Sequence, residues 1–201
     1  MAFASSPDPA TSDLTSVKIV VAGGFGVGKT TLVGAVSEIP PVNTEAWMTQ
    51  ASRTLDPVSG GDGKTTTTVA MDFGRITLAR DLVLYLFGTP GQPRFWPMWD
   101  DLCRGASGAV VLVDTRRLDV SFAAVNYFEN DSDVPFIVAA NLFEGRRTHE
   151  LDDVREALQL SGNVPLTTCD ARDRGSVVRV LGEAITHTMD VTHSATPATA
   201  Q

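Results

Sequence analysis

Apolar residues recur along this chain in short blocks, separated by polar stretches rich in glycine and proline. Val17–Ala22 is an apolar β-type run, broken only by Lys18, that ends in glycines, the pattern of a buried strand entering a loop. Lys29–Val36 follows with helical character and is stopped by Pro40-Pro41. Residues 41–64 are polar, carry Gly60-Gly61-Asp62-Gly63 near their end, and read as a long, partly helical loop; loops of this length are usually functional or disordered. Val69–Leu78 and Leu82–Phe87 read as two strands joined by the hairpin-length connection Ala79-Arg80-Asp81. Beyond them, Phe95, Trp99 and Leu102 fall at helical spacing, Ala109–Val113 is a short buried strand, and Leu118, Phe122 and Val125 share a helical face. Phe136–Ala140 is another strand, Leu151, Val154 and Leu158 mark a helix, and Val164–Thr168 a last strand. Val177, Val180, Leu181, Ala184 and Ile185 line the final helix.

The order β α β β α β α β α β α predicts an α/β fold with helices on both faces of a six-stranded, mostly parallel sheet, its second strand antiparallel. Residues 1–16, rich in Ser, Pro, Thr and Asp without a period, are expected to form a disordered arm, and residues 191–201 a disordered tail. One domain is left, over residues 17–190.

Composition narrows the function. The 201 residues suffice for one domain with a sizeable core. A formal net charge of −8 argues against a nucleic-acid partner, which calls for the opposite balance. Cys103 and Cys169 lie far apart and the three histidines are scattered, so no Cys/His metal site is expected and a reducing compartment fits. Cys103 reads as a buried core thiol. The start, Met1-Ala2, has neither a signal-peptide pattern nor a myristoylation pattern, and Thr199-Ala200-Gln201 is no prenylation box. No apolar run is long enough to span a membrane. A cytoplasmic protein without a direct membrane anchor is expected, with any membrane recruitment made through a partner.

One motif decides the class. Gly23-Gly24-Phe25-Gly26-Val27-Gly28-Lys29-Thr30 fits GxxxxGK[ST], followed by Thr31, between the first strand and the first helix. Glycines let the backbone curl so that its N–H groups face phosphate oxygens, and the next helix presents its positive end to them. Lys29 is expected at the β- and γ-phosphates and the Thr30 hydroxyl on Mg²⁺.

With this motif the chain resembles Ras-like small GTPases, nearest to the bacterial MglA-like group and the Ras-like members of actinobacterial conservon operons. The resemblance covers about residues 17–190 and implies a P-loop NTPase G domain binding GTP or GDP with Mg²⁺. Four further stretches carry it. Thr65-Thr66-Thr67-Thr68-Val69-Ala70-Met71-Asp72-Phe73-Gly74 resembles the switch I threonine running into a strand, and implies that Thr68 closes over Mg²⁺ and the γ-phosphate. Phe87-Gly88-Thr89-Pro90-Gly91-Gln92 resembles the D-x-x-G-Q of switch II. It implies that the Gly91 N–H meets the γ-phosphate and that Gln92 orients the attacking water. The family's Mg²⁺-holding aspartate is Gly88 here; the MglA-like group also lacks a carboxylate at that place. Asn141-Leu142-Phe143-Glu144 stands where N-K-x-D is expected. Asn141 would tie the base loops together, Leu142 would cover the base, and Glu144 would accept from guanine N1–H and N2–H₂. Cys169-Asp170-Ala171-Arg172 stands at the T-S-A-K loop. There the Ala171 N–H would meet guanine O6, and the Arg172 stem would stack on the base while its guanidinium pairs with Asp170.

The expected activity is slow hydrolysis of GTP to GDP and phosphate in a molecular switch for bacterial signalling. Phe25, in place of a glycine in fast relatives, would crowd the attacking water or an incoming arginine. Partners implied by the resemblance are a Roadblock-type dimer or an activating protein at the switch regions. Two alternatives stay open: a nucleotide-binding module without turnover, and another P-loop ATPase or kinase. In Arg94-Phe95-Trp96-Pro97-Met98-Trp99, the Phe95 and Trp99 face either packs on the sheet, or Trp96 and Met98 form a partner patch.

Overall fold

A computed structural model describes residues 14–40, 44–46, 69–146 and 148–195. Its strands are β1 (Thr15–Ala22), β2 (Thr44–Ala46), β3 (Val69–Ala79), β4 (Leu82–Gly88), β5 (Gly108–Val113), β6 (Phe136–Asn141) and β7 (Leu166–Cys169). The α-helices are α1 (Lys29–Val36), α2 (Trp99–Cys103), α3 (Phe122–Asn126), α4 (Leu151–Leu158) and α5 (Arg174–Ala195). The strands form one sheet in the order β2-β3-β4-β1-β5-β6-β7. β1 runs parallel to β4 and β5, and β5, β6 and β7 continue in parallel, while β3 pairs antiparallel with β4. The six expected strands are therefore present, in the expected sense. A three-residue strand from the region read as loop, β2, is added at the edge, antiparallel to β3.

Alternation along the central strands sends side chains to two separate cores. Ile19 and Val21 of β1, Val110 and Leu112 of β5, and Ile137 and Ala139 of β6 pack with Leu32, Val33 and Val36 of α1 and Val177, Val180 and Leu181 of α5. Their neighbours Val20, Ala22, Val111, Val113, Val138 and Ala140 face the other way, onto Trp99, Ala124, Val125, Val154 and Leu158. Because both faces are covered, these strands read in sequence as unbroken apolar runs.

Four boundaries differ from the expectation. β1 opens at Thr15, inside the stretch expected to be a disordered arm, because the Thr15 N–H donates to Asp81 O (2.7 Å) and pairing with β4 starts there. α5 runs to Ala195, into the stretch expected to be a disordered tail. Residues 1–13 and 196–201 lie outside the described residues. The last strand is Leu166–Cys169 rather than Val164–Thr168; Val164 is buried just ahead of it. The face expected over Leu118, Phe122 and Val125 breaks up, since the segment starts as a 3-10 turn (Leu118–Ser121), becomes α3, and ends in a π turn (Tyr127–Asp131). Starting on a three-residue period shifts the phase, so Phe122 is exposed and Phe128 takes the buried place.

Candidate nucleotide-binding site

β1 ends in the middle of the sheet, where the strand order turns back, and the chain leaves it through Gly23–Gly28 into α1. In open α/β sheets this is where ligands bind. Gly28 has φ +108° and a Cβ there would come within 2.6 Å of Asn141 Nδ2, so both backbone conformation and space require glycine. Lys29 is buried and its ammonium donates to the loop carbonyls of Gly23 (2.8 Å) and Gly24 (2.6 Å). Burial pulls its pKa down to about 8, against the opposing charge of Asp72. A triphosphate in the loop would compete with those carbonyls for the ammonium.

Gly91 reaches the other side of the loop. A Cβ on it would sit 2.7 Å from Gly24 C and O and from Phe25 N, so this approach is open only to glycine. The buried Trp99 indole N–H fixes the segment by donating to Pro90 O (3.2 Å). Phe95 and Trp99 are both buried, the packing role expected for that face, while Trp96 stays exposed. Gln92 is half-buried and leads into a 3-10 turn, Pro93–Met98. Phe25 is 65% exposed at the tip of the loop, so its ring stands where an incoming group would approach. Thr68 lies outside the described residues.

The base side is organised by one carboxamide. Asn141, at the end of β6 and only 6% exposed, donates from Nδ2 to Val27 O (2.9 Å) and accepts at Oδ1 from the Ala171 N–H (3.1 Å). It thus joins the P-loop to the loop after β7, the role expected for it. Through the same bond the Ala171 amide is engaged by Asn141, so a base would have to share or replace that partner. Leu142 is held by its N–H on Cys169 O (2.7 Å). Arg172 and Asp170 form the expected pair, with Nε–Oδ1 and Nη2–Oδ2 both at 3.2 Å, and the Asp170 carboxyl is lowered by it. Gly28, Thr31, Asn141, Leu142, Glu144 and Arg172 are among the residues lining a cavity of about 240 Å³. Glu144 is exposed at its rim with φ +58°, a left-handed conformation shared by Gly145 (φ +69°) in the tight turn Phe143–Gly145.

Several functional candidates escaped the sequence reading. Asp114, fully buried after β5, takes Arg116 on both carboxylate oxygens (2.9 and 2.8 Å), and this pairing holds its carboxyl below the usual range. Arg116 also lies over the Phe143 ring at 3.5 Å and lines the cavity, while Arg117 reaches Phe25 O (3.4 Å). Two arginines directly after a buried strand were the available signal. Asp72 of β3 accepts from the Thr30 hydroxyl (2.7 Å). A hydroxyl backed by a carboxylate is a hard oxygen set that fits Mg²⁺, which keeps several waters and takes its other ligands from phosphates.

Residues 21–191 match the family described as "conserved hypothetical ATP binding protein". The chain belongs to this family. A relative, the uncharacterized protein MJ1339 of Methanocaldococcus jannaschii, is 33% identical over 101 residues, 50% of this chain and 53% of the relative. The chain thus spans about half the length of that curated relative. Among solved structures it is similar to the G domain of the FeoB iron transporter of T. maritima, with a TM-score of 0.59 and 18% identity over 87% of this chain and 99% of that one. The FeoB G domain of Methanococcus jannaschii gives 0.56 and 15% over 88% and 99%. At these identities the likeness establishes the fold. The molecule is a nucleotide-binding P-loop protein with a G-domain fold, and among its described residues no helix is long and apolar enough to cross a membrane.

Proposed function

We propose that this chain is a small GTP-binding protein that hydrolyses GTP slowly and acts as a molecular switch, akin to the MglA-like and conservon GTPases. The observation that carries the reading is the Asn141 clasp: one side chain joins the P-loop to the Ala171 loop, beside a cavity rimmed by Glu144 and Arg172. In this reading Glu144 accepts from the two adjacent donors of guanine, for which adenine offers no equivalent. Water attacks the γ-phosphate in line, oriented by Gln92, while Lys29 and the amides of Gly26–Thr30 and Gly91 stabilise the developing charge. Thr30 and Thr68 would hold Mg²⁺, which neutralises charge between the β- and γ-phosphates when bound. The exposed Phe25 keeps turnover slow without a partner. A Roadblock-type dimer or activating protein would act at the switch segments, in the cytoplasm.

The family's description as ATP-binding favours a second reading in which adenine is the base. Calorimetry with GTP, GDP and ATP separates the two. GTP should bind about five- to a hundredfold more tightly than ATP, because an adenine would leave the carboxylate without its donors at a cost of about 1–3 kcal/mol. Glu144→Gln presents one acceptor and one donor, so it should weaken GTP and favour xanthosine triphosphate. A variant with unaltered discrimination among the three would remove Glu144 from base recognition, and ATP preference in the wild type would overturn the guanine reading. Single-turnover phosphate release then separates a hydrolase from a module that only binds.

A further inference from the structure

Gly88 leaves the switch II segment without the aspartate of the G-domain pattern, and the space it vacates is filled. In the β3–β4 pair Asp72 stands directly opposite Gly88. A Cβ on Gly88 would come within 2.8 Å of the Asp72 Cβ and 3.0 Å of its Oδ2. The carboxylate of Asp72 therefore occupies the room that a side chain at position 88 would need, and from there Oδ2 accepts the Thr30 hydroxyl at 2.7 Å. On the other side, β4 pairs with β1 so that Gly88 stands opposite Val21, two residues before the P-loop. The carboxylate reaches the same corner of the site from one strand further out.

We propose that Asp72 is the positioning carboxylate of the metal subsite, doing from β3 what the missing side chain at position 88 would do from β4. This rests on the P-loop nucleotide reading. A hydroxyl can offer a lone pair to Mg²⁺ only when its proton points elsewhere, and Asp72 gives that proton an acceptor. The charge of the carboxylate adds to the attraction for a divalent cation without a direct bond. Gly88 is then a requirement of the arrangement: a second side chain there and Asp72 exclude each other.

The test is the Mg²⁺ dependence of nucleoside triphosphate binding, measured by calorimetry with and without EDTA on the full chain. Wild type should bind in both conditions and more tightly with Mg²⁺. Asp72→Asn keeps the shape and removes the charge; its Mg²⁺-free affinity should not fall below wild type, since a negative charge beside the phosphates is gone, while the Mg²⁺ concentration needed for tightening rises about ten- to a hundredfold. Asp72→Gly should lose the tightening too, and the double exchange D72G/G88D should restore it by returning the carboxylate to β4. A role confined to strand packing would not give that rescue. Wild-type Mg²⁺ dependence in folded Asp72→Asn, or no recovery in the folded double variant, overturns the proposal and leaves the nucleotide reading intact. Failure of the wild type to bind any triphosphate, with or without Mg²⁺, sinks both.

Discussion

Asp114 shows how a single buried charge can brace a binding loop. It has no access to solvent, and its oxygens are taken by Arg116, whose guanidinium is about half exposed and covers Phe143 beside the cavity. Arg116 holds the folded carboxyl below its ordinary value of 3.8, so the folded state binds the proton less readily than the unfolded chain. The stabilisation is therefore complete above about pH 4 and is lost as pH falls through the depressed folded value. Asp114→Asn should lower Tm by about 2–4 °C at neutral pH, a modest figure because the arginine is partly screened by solvent. The gap from wild type should narrow as pH is taken below the ordinary carboxylate range. Thermal melts at neutral and acid pH check this, and a gap that stays constant would remove the ion pair from the account. At this scale the sequence was an uneven guide. Asn141 and the Asp170–Arg172 pair follow a motif with fixed spacing and stand as expected. Asp72 and Asp114 act through residues on other elements, or through burial that no local pattern announces.

At the scale of elements, the strands and helices with strong periods were legible, and α1 occupies Lys29–Val36 as read. A plain two-residue turn after Ala79 would set Asp72 opposite Thr89, but the irregularity between Thr77 and Ala79 moves the register by one and sets it opposite Gly88. The three-residue connection read from the sequence sets the same pairing of Asp72 with Gly88, but no local pattern shows that the Asp72 side chain reaches the Thr30 hydroxyl. The helix from Leu118 was not legible because of its phase, its first turn being wound on three residues. α5 illustrates uneven anchoring along one element. Leu181 is fully buried between the sheet and α1, whereas Met189, two turns later, is 52% exposed. Leu181→Ala should cost about 2–5 kcal/mol in denaturant unfolding, and Met189→Ala under about 0.5 kcal/mol. Equal costs would mean that the distal turns are held as firmly as the proximal ones.

For the whole molecule, the sheet divides the work. In the proposed reading the β3–β4 side, with the Thr30–Asp72 bond, serves the terminal phosphate and the metal, the β6–β7 side, with Asn141, serves the base, and β1 with its loop lies between them. The two cores above and below the sheet have a consequence for how the protein can be watched. Each holds one thiol: Cys169, fully buried, belongs to the layer of α1 and α5, and Cys103 to the opposite layer with Trp99. Burial raises both thiol pKa values, to about 11 for Cys169, so neither reacts while its layer stays closed. The chain thus carries its own pair of opening sensors, one per layer, with no cysteine to engineer in or out. Under native conditions a thiol reagent should modify the two at one common rate if the layers separate only by global unfolding. In the proposed reading nucleotide bridges loops that flank the Cys169 end of β7, so its addition should slow both rates together in that case. Faster modification of Cys103 alone, read by mass spectrometry of the two tryptic peptides, would reveal that the layer holding Trp99 opens by itself.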